Sequence, residues 1–222
     1  MCCGRGSLSS NEESLVHARE TGHRRGITNS LVNLAVARHD LGQIEQATNL
    51  YKEALAIAHE IGDRWGKSYC LLGLGKALLA IGKLTEAKQH CADAMALDVP
   101  ETSYQAALAL GIALLHQRDP SAEETFADAI ARCQAILDKT AEFYQARYAL
   151  AAALVGSAVC DPRWVEEGQR TGLLAPALEE YRRALENCAA PGVVQDALRD
   201  LEMIRAAGIE GLEPAFELLE SV

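Results

Sequence analysis

Residues 54–66, ALAIAHEIGDRWG, repeat the pattern of residues 14–26, SLVHARETGHRRG, forty positions earlier. Sliding the chain by 40 places Glu13 on Glu53, Leu15 on Leu55, Ala18 on Ala58, Glu20 on Glu60, Gly22 on Gly62, Arg24 on Arg64 and Gly26 on Gly66. The match runs on through Leu31 and Leu71, Leu34 and Leu74, Ala37 and Ala77, Gly42 and Gly82, Ala47 and Ala87, and Ala54 and Ala94. A period of this length marks an array of small units, each too small to bury its own apolar face and each completed by its neighbour.

Within a unit the apolar residues recur at helical spacing. Gly42 and Gly82 stop the first run, where glycine takes positive φ without strain; Gly62 ends the second run and Asp63 stands ready to cap the next amides. Each unit therefore reads as a helical hairpin. The expected fold is all-α, an α-solenoid of stacked antiparallel hairpins closed by a C-terminal capping helix.

Composition narrows the function. Of 222 residues only 5% are aromatic, which favours repetitive packing of small aliphatics over aromatic-lined pockets. The net charge of −10 repels phosphate backbones and anionic headgroups, and the basic pairs Arg24/Arg25 and Arg182/Arg183 build no patch against it. Seven cysteines (Cys2, Cys3, Cys70, Cys91, Cys133, Cys160 and Cys188) form an odd set without C-x-x-C spacing, and read as free thiols of a reducing compartment. MCCGRGSLSSNEE at the start lacks the apolar run of a signal peptide, and AALALGIALL at 106–115 is well short of the roughly 20 residues that span a bilayer. A cytoplasmic location follows, with neither nucleic acid nor membrane as partner.

The anchor positions of the units resemble the tetratricopeptide repeat. They are Leu31, Leu34, Ala35, Ala47, Tyr51 and Ala54 in the first full unit; Leu71, Leu74, Gly75, Leu78, Ala87, Cys91 and Ala94 in the second; and Leu110, Gly111, Leu114, Ala122, Phe126 and Ala129 in the third. A fourth unit takes Leu150, Ala151 and Leu154 with Ala177, Tyr181 and Ala184, although Arg147 stands where the family has a large apolar side chain. Between its two halves lies the insertion SAVCDPRWVEEGQRTG at 157–172, long enough to read as a functional or mobile loop. The resulting division is a tail plus the second helix of a truncated repeat at 1–25, four hairpins at 26–190, and capping helices at 191–222. The "GD" and "GH" joints and the tail PGVVQDALRDLEMIRAAGIEGLEPAFELLE are similar to the C-terminal sensor arrays of bacterial STAND-class signalling NTPases. Ser14–Gly26 reads as the second helix of a unit whose first helix MCCGRGSLSSNEE cannot supply, and together with that resemblance this implies a larger parent chain. It also implies an open N-terminal end where Leu15 presents an apolar face, to be covered by the first dozen residues or by a second copy.

Catalytic and metal chemistry find no support. GLGK at 73–76 has Cys70 and Ala77 where a phosphate-binding loop needs glycine and a hydroxyl residue. His17, His23, His39, His59, His90 and His116 include no H-x-x-x-H or H-E-x-x-H pair, and no G-x-S-x-G elbow occurs. Paired carboxylates such as Glu123/Glu124 and Glu179/Glu180 lie on polar helix faces. The expectation is a non-enzymatic module without cofactor. Its alternatives are a free-standing scaffold and, more remotely, an enzyme using the insertion around Trp164 and Glu166.

The resemblance implies a binding face along the first helices, with a protein, a peptide or an upstream domain of the parent chain as partner. By register that face comprises Asn29, Val32, Asn33 and Val36; Tyr69, Leu72 and Lys76; Gln105, Leu108 and Ile112; and Gln145 and Tyr148. Only Asn33 and Lys76 suit a clamp for a terminal carboxylate, so an amphipathic helix or extended apolar segment is the expected ligand. Packing between repeats is the alternative role for each of these side chains.

Overall fold

The computed structural model describes residues 3–221, with side chains from residue 9 onward. Eleven α-helices follow one another among the described residues: α1 (Cys3–Glu20), α2 (Arg24–Asp40), α3 (Ile44–Glu60), α4 (Arg64–Ala80), α5 (Leu84–Ala96), α6 (Pro100–His116), α7 (Ala122–Leu137), α8 (Tyr144–Cys160), α9 (Glu167–Asn187), α10 (Pro191–Ala206) and α11 (Glu213–Glu220), with a 3-10 turn (Pro162–Val165) before α9. None of them is long and apolar enough to cross a membrane. The chain forms two compact units, Met1–Ser103 and Tyr104–Val222.

In the first unit each helix packs on the next, α1 on α2, α2 on α3, α3 on α4 and α4 on α5. The joints are alike because their chemistry is alike. Gly22 and Gly62 sit at φ +68°, Gly42 and Gly82 at +73°. Asp63 then caps α4, its Oδ1 accepting from the Gly66 amide at 3.1 Å. The core runs through Leu31, Leu34, Ala35, Ala47, Tyr51, Ala54, Cys70 and Leu74. The small residues at Ala35, Ala47 and Ala54 admit close helix approach, and Tyr51 and Leu74 fill the space between hairpins. An added Cβ would lie 2.3 Å from the Tyr51 ring at Gly73 and 2.3 Å from the Cys91 Sγ at Gly75.

Two expectations about the N-terminus need correction. Residues 3–13 continue α1 as helix where a tail was expected. Leu15, expected to present an open apolar face, is 7% exposed and belongs to the core with Ile27 and Leu31; among the described side chains of α1 the exposed large apolar residue is Val16. Helical periodicity turns Leu15 and Ala18 toward α2, so α1 places its strongest apolar stripe on the partner it already has. Cys2 and the Cys3 thiol lie outside the described residues and side chains.

In the second unit α7 packs on α8, α8 on α9, α10 on α8, and α11 on both α9 and α10. Phe126 of α7 is fully buried beside Gly111 of α6 and Gly156 of α8. Arg147 is accommodated as half of an inward ion pair: Nη1 donates to Glu180 Oε2 of α9 at 2.7 Å and Nη2 to the Ala141 carbonyl at 2.6 Å.

The segment 157–172 is not the loop it was expected to be. Its first four residues complete α8 and its last six open α9, leaving only the turn about Pro162–Val165 between them. Asp161 caps that turn by accepting from the Arg163 amide at 2.8 Å, and Trp164 turns inward. Arg170 donates from Nε to the Trp164 carbonyl at 2.9 Å, stacks 5.7 Å from the indole centroid, and lies where a side chain on Gly211 would fall. The insertion thus buttresses the connection between α10 and α11.

Candidate functional site

α2 and α4 run in the same direction, each antiparallel to α3, and pack on one another. They meet at Thr28 and Gly66, where a Cβ on Gly66 would lie 3.2 Å from the threonine methyl. Two parallel stripes result. On α2, Arg25, Asn29, Asn33, Val36 and Asp40 are exposed at spacings of three and four. On α4 the residues forty positions later are Trp65, Tyr69, Gly73, Lys76 and Ala80, all exposed or half-buried, although the Gly73 position is set against the Tyr51 ring of α3 and interrupts the stripe there. The stripe exists because both helices commit Leu31, Leu34, Ala35 and their counterparts to the hairpin, and these leave one side uncommitted.

The aromatic step on α4 is the most marked feature of this surface. Trp65 and Tyr69 are one turn apart with ring centroids 4.1 Å from each other, and Trp65 remains 43% exposed. Burial raises the Tyr69 hydroxyl above its ordinary value, with the Glu101 carboxylate adding to it, so Tyr69 is a neutral donor at physiological pH. The site therefore combines an exposed π-face, two primary amides at Asn29 and Asn33, the half-buried side chain of Lys76 and the exposed valine Val36. It holds no nucleophile paired with a base, and among the described residues no three His, Cys, Asp or Glu side chains cluster as metal ligands.

The residues expected to line a ligand face fall into two sets. Asn29, Asn33, Val36, Tyr69 and Lys76 are open at least in part, whereas Val32 and Leu72 are buried. In the second unit Gln105 is half-buried and Gln145 exposed, but Leu108, Ile112 and Tyr148 are buried, Ile112 completely. Tyr148 is held inside by its ring against Tyr181, 6.3 Å between centroids, and by its hydroxyl donating to the Cys188 carbonyl at 2.8 Å. Burial pushes that hydroxyl up to about 12. Trp65 was missed by register-based reading; the forty-residue shift that pairs it with Arg25, and its place one turn before Tyr69, are the signals that find it.

The comparisons agree with the helical-repeat fold. Residues 12–98 match the tetratricopeptide repeat. The matched segment contains both stripes and their supporting second helices, and repeats of this kind serve protein–protein interaction. Solved structures share the fold. BtubC (BKLC) from P. vanneervenii superposes with a TM-score of 0.63 at 15% identity, covering 100% of this chain and 92% of that one. The nearly identical TPR-like repeats of a kinesin light chain candidate from Podosopora anserina give 0.53 at 18% identity, covering 92% and 87%. No curated protein matches the chain.

Proposed function

We propose that the tetratricopeptide segment binds a peptide or short helix along the α2 and α4 stripes, without catalysis. The Trp65 and Tyr69 shelf carries this reading, since an exposed tryptophan stacked on a tyrosine supplies most of the contact energy that a short ligand needs. Asn29 and Asn33, each with a donor and an acceptor, suit the backbone of an extended segment, while Val36 offers it apolar contact. Glu101 beside Tyr69 and Lys76 on the same stripe bound the site with opposite charges, which orients the ligand.

Peptides selected from a random library against the full chain should bind the wild type and lose about tenfold or more in affinity with Trp65→Ala. Asn33→Ala should lose less, and circular dichroism should be unchanged in both. Selected peptides that ignore both substitutions would place binding elsewhere. The tail's similarity to signalling NTPase sensors extends the proposal: the segment reports ligand contact to an upstream switch domain. An in-frame Walker motif in the upstream DNA is the expected finding, and a promoter directly before Met1 would remove that extension.

A further inference from the structure

The second unit shows no stripe like those of α2 and α4. Between Tyr104 and His116 of α6, and between Ala146 and Val159 of α8, no residue is exposed. Ile112, in the register position of the 45% exposed Val36, has no exposure at all. α10, like α7 with its Phe126, meets both of these first helices. It packs on α8, and its Met203 carbonyl accepts a hydrogen bond from His116 Nε2 of α6 at 2.7 Å. Met203 is among the last carbonyls of α10, which lack a partner within their own helix, so a side chain of α6 caps the end of α10.

The character of α10 is that of a bound amphipathic helix. Val194, Ala197, Leu201 and Ile204 are buried at i, i+3, i+7 and i+10, while Gln195, Asp196, Glu202 and Arg205 are exposed. Asp200 is buried within that same face, beside Tyr181. That tyrosine belongs to α9, so an ionisable group borders the packing of α10 and weakens it relative to an all-apolar contact. Non-helical links bound the helix on both sides: Cys188 and Ala190 are extended before Pro191, and Gly208 and Gly211 both take positive φ after it.

We propose that α10 is a resident ligand, occupying the first-helix face of the second unit and closing it to other helices until a partner helix of the same apolar spacing displaces it. This does not depend on the peptide reading of the α2 and α4 stripes. The partner class follows from the occupant: an amphipathic helix with apolar side chains at i, i+3, i+7 and i+10.

The test uses the full chain with a protease recognition sequence inserted between Ala189 and Ala190. After cleavage, a fluorescein-labelled synthetic peptide of residues 191–222 is added at about a hundredfold excess. The resident segment should exchange for the labelled one, seen as raised anisotropy of the protein fraction, with the helicity of the remainder retained. Failure to exchange overnight, or unfolding of the remainder as the segment leaves, would show α10 to be integral core and overturn the proposal. In the uncleaved chain, His116→Ala should speed hydrogen exchange of the α10 amides about fivefold and leave those of α8 unaltered. Equal acceleration of both helices, or none in α10, would count against a separable helix.

Discussion

Phe126 shows how little freedom the packing leaves to a single side chain. A Cβ on Gly156 would stand 2.3 Å from its ring, and one on Gly111 2.8 Å, so the ring is held between two helices by two missing methyl groups. Gly156→Ala should therefore cost about 1–3 kcal/mol in urea denaturation, as overpacking does, and adding Phe126→Leu should recover part of the loss. Full additivity of the two changes would show that they do not meet. The thiols allow a chemical test. Burial pushes Cys70, Cys91 and Cys133 up to about 12, and only the thiolate is nucleophilic. These three should resist a thiol-specific reagent at pH 8 in the native protein and react once it is unfolded, with half-buried Cys160 and Cys188 reacting ahead of them.

Helices rather than single residues decide how the insertion behaves. The turn before α9 is pinned by Asp161, which accepts from both the Arg163 amide and its guanidinium at 2.7–2.9 Å. Arg163's side-chain and backbone hydrogen bonds hold the Asp161 carboxyl down to about 2, against 3.8 ordinarily. Because the folded form favours the carboxylate, the pin is complete above pH 3.8 and is lost as pH falls through about 2. In a Trp65→Phe background, Trp164 emission should stay constant down to about pH 4, and Asp161→Asn should shift it already at pH 7. An emission change in the wild type beginning near pH 6 would show that another group governs the turn.

Taken over its full length the chain carries a net charge of −10, and this bears on partner choice more than on folding. Long-range attraction favours basic ligands. Peptides selected against the full chain should be enriched in Lys and Arg, and their association rates should fall several-fold between about 50 and 300 mM salt while dissociation changes little. Salt-independent association would assign recognition to the aromatic shelf alone. Two compact units also mean that a ligand face is a property of each unit: the first leaves its stripe open, and the second has its own helix against it.

The forty-residue period was sufficient to read hairpins, joints and anchors, because each unit meets its neighbour through the same local spacing of Leu, Ala and Gly wherever it stands in the chain. On α2 helical periodicity marked Asn29, Asn33 and Val36 as exposed, but it also placed Val32 among them, which packing buries. Trp65 went unnoticed because its counterpart at the forty-residue shift, Arg25, was not counted in the face, although Trp65 stands one turn before Tyr69. The covered faces of α6 and α8 left a trace in their all-round apolar runs, but not the identity of the cover. That depended on where α10 came to rest, 87 residues from His116, and contacts so distant in sequence obey shape and burial, to which no local pattern is tied.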